Sequence, residues 1–117
     1  MSAPTAQPPS GDSADPAVDA VFAALADPTR RHLVELLAAA PGATATGLAA
    51  TLPISRQAVA KHLATLDQAG LVHSRRNGRE LRFELEPRPL TDAAAWIAAV
   101  GGEWDGRLER LRQLLER

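Results

Sequence analysis

Residues 55–83 read SRQAVAKHLATLDQAGLVHSRRNGRELRF, and the fold is decided here. Ser55 is a good helix N-cap, and Val59, Leu63 and Leu66 recur at the spacing of one buried helix stripe. The spacing predicts a helix over residues 56–69, closed by Gly70, where a left-handed C-terminal residue is wanted. Beyond it, Asn77-Gly78 is the preferred pair for a two-residue type I′ hairpin turn. That turn would set Arg76 opposite Arg79, Arg75 opposite Glu80, Ser74 opposite Leu81, His73 opposite Arg82 and Val72 opposite Phe83. One face then holds Val72, Ser74, Leu81 and Phe83, the other only polar His73, Arg75, Glu80 and Arg82. A register taken from the turn alone sorts a dry face from a wet one, which supports a hairpin over residues 72–85.

Upstream, a short helix starting after Thr46 carries Leu48 and Leu52 and ends at Pro53. Only Pro53 to Ser55 separate it from the next helix, so the two must cross steeply, as in a helix-turn-helix. Asp15-Pro16 and Asp27-Pro28 each offer an N-cap followed by proline at the first helical position. Val18, Val21, Phe22 and Leu25 follow the first at helical spacing; Leu33, Leu36 and Leu37 follow the second, which stops near Ala40 before Pro41-Gly42. After Pro87 and Pro89, Thr91 or Asp92 caps a last helix over residues 91–116. Its stripe of Ala93, Ile97, Val100, Trp104, Leu108, Leu111 and Leu115, flanked by Trp96 and Leu114, has the spacing of a helix–helix seam. Gly101-Gly102 interrupts that stripe at a cost of about 1 kcal/mol per glycine relative to alanine, and marks where the helix would bend or break. Residues 1–15, with Pro4, Pro8, Pro9 and Gly11 and no apolar periodicity, read as a disordered tail. Residues 16–117 are then one domain, mainly α with a small β-hairpin, in the order helix, helix, helix-turn-helix, hairpin, helix: a winged helix-turn-helix.

The chain has 117 residues, 45% of them hydrophobic and 23% charged, with a net charge of −1 and no cysteine. Disulfides, thiolate metal sites and cysteine nucleophiles are thereby excluded. No apolar run approaches the ~18 residues of a membrane span, and the N-terminus lacks the basic start and apolar stretch of a signal peptide, so a cytoplasmic location is expected. No Gly-x-Ser-x-Gly elbow or phosphate-cradling glycine loop points to an enzyme. His32, His62 and His73 fall on three different predicted elements, so no metal site is expected. Glu103, Asp105 and Glu109 read as solvated helix carboxylates interleaved with Arg107, Arg110 and Arg112. No cofactor or small-molecule effector is read from the chain.

The charge is unevenly placed. Residues 55–82 hold six basic residues (Arg56, Lys61, Arg75, Arg76, Arg79, Arg82) against Asp67 and Glu80, a local +4. Residues 1–50 hold five acids against Arg30 and Arg31, a local −3. The helix over 56–69 keeps Arg56, Gln57, Ala58, Lys61 and His62 off its buried stripe, which suits a recognition helix in the major groove of double-stranded DNA. Ser55 joins a cap to a possible phosphate contact, Gln57 suits a bidentate bond to adenine, and Lys61 with the hairpin arginines supplies phosphate attraction. The competing reading is a winged-helix module that binds another protein through the Trp/Leu face of its last helix. Steep salt dependence of binding would separate the two.

FAALADPTRRHLVELL (residues 22–37) and SRQAVAKHLATLDQAGLV (residues 55–72) resemble the arsenic-repressor (ArsR) family of bacterial winged-helix transcription regulators. RRNGRELRFEL (residues 75–85) resembles that family's wing, and PRPLTDAAAWI with EWDGRLERLRQLL is similar to its SdpR-like branch, here without the metal-sensing cysteines. The resemblance runs from about Ala17 to the C-terminus. It implies a homodimeric repressor that binds an imperfect palindrome and pairs through its first and last helices. The implied pairing residues are Val18, Val21, Phe22, Trp96, Ile97, Val100, Trp104, Leu108, Leu111 and Leu115. It also implies that Ser55, Arg56, Gln57, Ala58, Lys61 and His62, with Arg75, Arg76 and Arg79 of the wing, face DNA. Asp27 and Arg30 match the family's DPTR corner and read as a helix cap and its partner. The chain departs from the branch at Gln57, where proline is frequent, and at Ala60, where serine is.

Overall fold

Four helices of the computed structural model, which describes residues 15–116, begin on a side-chain cap. Asp15 Oδ1 accepts from Ala17 N (2.9 Å) to open α1 (Pro16–Leu25), and Asp27 Oδ2 accepts from Arg30 N (3.0 Å) to open α2 (Pro28–Ala39). Thr44 Oγ1 accepts from Gly47 N (3.0 Å) to open α3 (Ala45–Ala49), and Ser55 Oγ from Ala58 N (3.1 Å) to open α4 (Arg56–Gln68). Each cap satisfies an amide that the first turn cannot pair internally. At the other end of α4, Leu71 N donates to Leu66 O and Gly70 N to Asp67 O, both at 2.9 Å, with Gly70 at φ +78°. These are the two bonds of a Schellman close, and only glycine adopts that φ cheaply. The expected tail lies in residues 1–14, outside the described residues, apart from Asp15, which caps α1.

Three boundaries differ from expectation. The third helix starts at Ala45, not after Thr46, because Thr44 is its cap and Ala43–Thr44 form a short strand, β1, missed in the sequence. Two residues are too few to show a period, and their partners lie some 40 positions away in β3. The last helix, α5 (Pro87–Leu115), begins a turn before Thr91. Pro87 and Pro89 fit its first turn because amides there have no intrahelical acceptor to lose. It also runs unbroken through Gly101-Gly102.

The hairpin is present, with its turn moved by one residue. β2 (Val72–Asn77) and β3 (Glu80–Leu85) pair Asn77 with Glu80, Arg76 with Leu81, Ser74 with Phe83 and Val72 with Leu85. The loop is therefore Gly78-Arg79, with Gly78 at φ +66° in the first central position and no positive φ at Asn77 or Arg79, as a type II′ turn requires. This register keeps Arg76 away from Arg79 and adds the apolar pair Val72–Leu85 at the hairpin base. The pairing is shifted by two residues, so every side chain keeps its expected face. β3 is the middle strand of an antiparallel sheet ordered β1-β3-β2, with Ala43 opposite Phe83.

The core is built from the inward stripes of these elements: Val21 and Ala24, Leu33 and Leu37, Leu48, Val59, Leu63 and Leu66, Leu71 and Val72, Phe83 and Ala93. The architecture is mainly α with a small antiparallel sheet, a winged helix-turn-helix.

Candidate nucleic-acid interface

Helix α4 has two sides. Val59, Leu63 and Leu66 are fully buried, while Gln57, Lys61, Ala64 and Gln68, at steps of 4, 3 and 4, form an exposed row on the opposite side. The row follows from 3.6 residues per turn once the apolar stripe is anchored. Ser55 is exposed with its hydroxyl committed to the cap. Arg56 Nε donates to Thr46 Oγ1 (3.1 Å), which ties the start of α4 to the start of α3 and fixes the crossing of the two helices. Thr46 was not singled out in the sequence; a hydroxyl at the entry to the preceding helix was the only signal. Ala58 is half-buried.

His62 is turned away from this row. Its Nδ1 lies 3.4 Å from Arg30 Nη1 and 3.9 Å from Asp27 Oδ2, and its side chain is 25% exposed. The ring therefore sits at the edge of the expected DNA-facing surface, with Nδ1 directed to this corner and not into the exposed row. His62 falls three residues after Val59 and four before Leu66, on the edge of the buried stripe.

The cations of the hairpin divide into committed and uncommitted. Arg82 donates through Nη1 to Gly42 O (2.9 Å) and pairs through Nη2 with Glu80 Oε1 (2.5 Å), which holds it against the start of β1 in the middle of the hairpin. Arg75 stands opposite Arg82 across the strands and is ion-paired with Glu84, so each of these facing like charges has its own carboxylate. Arg76 and Arg79, beside and within the turn, are exposed and form no ion pair among the described residues, and the same holds for Lys61. Thus Arg56, Gln57 and Lys61 share the exposed early turns of α4, and Arg76 and Arg79 the tip of the wing. Such exposed cations, with no carboxylate to satisfy them, are the groups a polyanion attracts.

A second surface lies on α5. Trp96, Ile97, Val100, Leu108, Leu111 and Leu115 are 44–78% exposed, at the spacing of one helix face. Phe22 of α1 joins it, edge-on to Trp96 at a centroid distance of 5.6 Å and 67° between ring planes. Val18 and Val21 do not, because both are buried in the core of the protomer itself, Val21 to 1%. They are corrected from pairing residues to core residues. The side chain of Trp104, on the same helix, lies outside the described residues. The flank of α5 is polar: Arg112 bonds Glu109 (2.5 Å) and Glu116 (2.7 Å), and these carboxylates, Glu109 first, hold its guanidinium above its ordinary pKa. Among the described residues no three His, Asp or Glu side chains gather as metal ligands would, and no helix is long and apolar enough to cross a membrane.

Comparison with known proteins agrees with this geometry. Residues 25–75, from the end of α1 to the middle of β2, match the family model described as a helix-turn-helix domain. The chain is 40% identical over 98 residues to the HTH-type transcriptional regulator Rv2034 of Mycobacterium tuberculosis, covering 84% of this chain and 88% of that relative. It is 34% identical over 77 residues to the transcriptional repressor SdpR of Bacillus subtilis, covering 66% of this chain and 84% of the repressor. Among solved structures, the ArsR-like transcriptional regulator from Rhodococcus sp. RHA1 superposes with a TM-score of 0.74 at 42% identity, over 84% of this chain and 92% of that one. With an exposed polar row on the second helix of its helix-turn-helix, a cationic wing and relatives matched over nearly their whole length, this chain belongs to the ArsR family of helix-turn-helix transcriptional regulators.

Proposed function

We propose that the protein is a homodimeric repressor acting in the cytoplasm, which binds an imperfect palindrome in double-stranded DNA. The observation that carries the reading is the row on α4, where Gln57 and Lys61 are exposed opposite the buried stripe and Lys61 lacks an ion pair among the described residues. In this reading α4 enters the major groove by its first turns, with Arg56 and Gln57 at base edges and the amides beside Ser55 and Ala58 toward a phosphate. Lys61 and the wing-tip arginines Arg76 and Arg79 contact the backbone and the neighbouring minor groove, and Arg75 joins them by exchanging Glu84 for a phosphate. The apolar face of Phe22, Trp96, Ile97, Val100, Leu108, Leu111 and Leu115 pairs with its copy about a two-fold axis. The two α4 helices then sit one DNA turn apart, about 34–36 Å, or a multiple of it. Repression is supported by the likeness to the repressor SdpR.

Sequencing the genomic fragments retained by the protein at physiological salt tests this, with enrichment of a palindromic site expected. Retention without any shared site, or binding indifferent to salt, rejects it. Two variants sharpen the assignment. Gln57→Ala is expected to lose about 1–3 kcal/mol at a single base pair and to relax preference there, read by selection from a randomised duplex library. An unchanged preference removes Gln57 from the base contacts. Arg79→Ala is expected to weaken all sequences alike and to lower the slope of log K against log salt by about one unit. An effect confined to one sequence contradicts a phosphate role.

A further inference from the structure

The corner formed by Asp27, Arg30 and His62 joins three helices through one guanidinium. Arg30 Nε donates to Ala24 O (2.7 Å) and Nη2 to Ala23 O (3.3 Å), closing the C-terminal end of α1. Its own amide is held by the Asp27 cap at the start of α2 (3.0 Å). Its remaining arm, Nη1, reaches His62 Nδ1 on α4 at 3.4 Å, and Nδ1 accepts this bond when the ring proton sits on Nε2. Apolar packing gives little help at this contact. Ala23, Ala24 and Ala69, with Thr65, line an open groove of about 290 Å³ between α1 and α4. Alanines present no ridge to interdigitate, so α1 itself adds little to the hold that buried Val59, Leu63 and Leu66 give α4, and a polar link is left to trim its rotation against α1.

We propose that His62 is a positioning residue: held by Arg30 at Nδ1, it fixes the rotation of α4 against the end of α1, and so sets the angle at which Arg56, Gln57 and Lys61 meet DNA. Helix α1 also carries Phe22 of the exposed apolar face, so the same corner links that face to the recognition helix. The inference rests on the DNA-binding reading above.

The test compares the full-length protein with His62→Asn, His62→Gln and His62→Ala by fluorescence anisotropy, on the duplex that the wild type selects from a randomised library. Asparagine places an acceptor where Nδ1 stands, whereas glutamine reaches the position of Nε2. His62→Asn is expected to bind within about twofold of wild type, while Gln and Ala lose about tenfold with an unchanged salt slope, because a charge-assisted bond and no phosphate contact is lost. Retention by Gln with loss by Asn would show a direct DNA contact through Nε2 and overturn the proposal. Loss in both Asn and Gln, or in neither, overturns it as well. Arg30→Lys, which cannot hold two carbonyls and the ring together, is expected to lose a similar factor, with no further loss in the Arg30→Lys/His62→Ala double variant. Additive losses would separate the two residues and reject the coupling. Wild-type protein that selects no duplex sinks the DNA reading itself, and the inference with it. Wild-type selection with unaffected variants sinks the inference alone.

Discussion

Ile97→Asp is expected to sediment as a monomer and to lose about 10²–10⁴-fold in affinity for its palindrome, while its thermal midpoint falls only by the mass-action stabilisation that pairing gives the wild type. Ile97 is 54% exposed in the protomer, so the substitution there counts as a surface change, within about 0.5 kcal/mol. In the proposed pair the same position lies in an apolar seam, and a carboxylate buried there without a partner costs several kcal/mol or keeps the seam wet. Two-fold symmetry applies that cost twice per dimer. A protomer alone offers one recognition helix and one wing, and without the tether the second half-site no longer binds at high effective concentration. Sedimentation velocity at the wild type's concentration and an anisotropy titration of the duplex check both parts. An intact dimer would take Ile97 out of the seam. A monomer with undiminished affinity would mean that one protomer reads the whole site, which is incompatible with a palindrome.

The features legible in the sequence are those whose physics is local. The caps at Asp15, Asp27 and Ser55 and the close at Gly70 each satisfy amides or carbonyls within a few residues, so residue type and spacing sufficed. The exposed row on α4 was legible for the same reason, since Val59, Leu63 and Leu66 orient Gln57 and Lys61 by periodicity alone. The hairpin turn was ambiguous because Gly78 can serve as the second residue of one turn type or the first of another. The choice was made at the far end, where Val72 meets Leu85. β1 exists only through its pairing with β3. Long-range partners also decide side-chain roles that spacing leaves open. His62 is bound to a residue 32 positions earlier, and Val21 is buried in the core cluster of its own protomer, which a helix stripe cannot tell from a pairing face.

Leu63→Ala is expected to cost about 2–5 kcal/mol, because the removed carbons leave a cavity that the surrounding helices fill only in part. Leu63 is fully buried in the core of a domain of this size, where total stability is typically about 5–15 kcal/mol. The thermal midpoint should fall by about 8 °C or more, at roughly 4–8 °C per kcal/mol for a small domain. The variant and wild type must be compared at one protein concentration, since pairing stabilises by mass action. Below its own midpoint the variant should still show the wild-type salt slope on DNA, because Leu63 lies on the opposite side of α4 from Lys61 and no phosphate contact is removed. Gln57→Ala makes the converse case, with base preference altered and the midpoint nearly unmoved. A midpoint unchanged in Leu63→Ala would mean that α4 is not anchored through this stripe. The outward row would then lose the physical reason for facing DNA at a defined angle, since that angle depends on the buried side holding still.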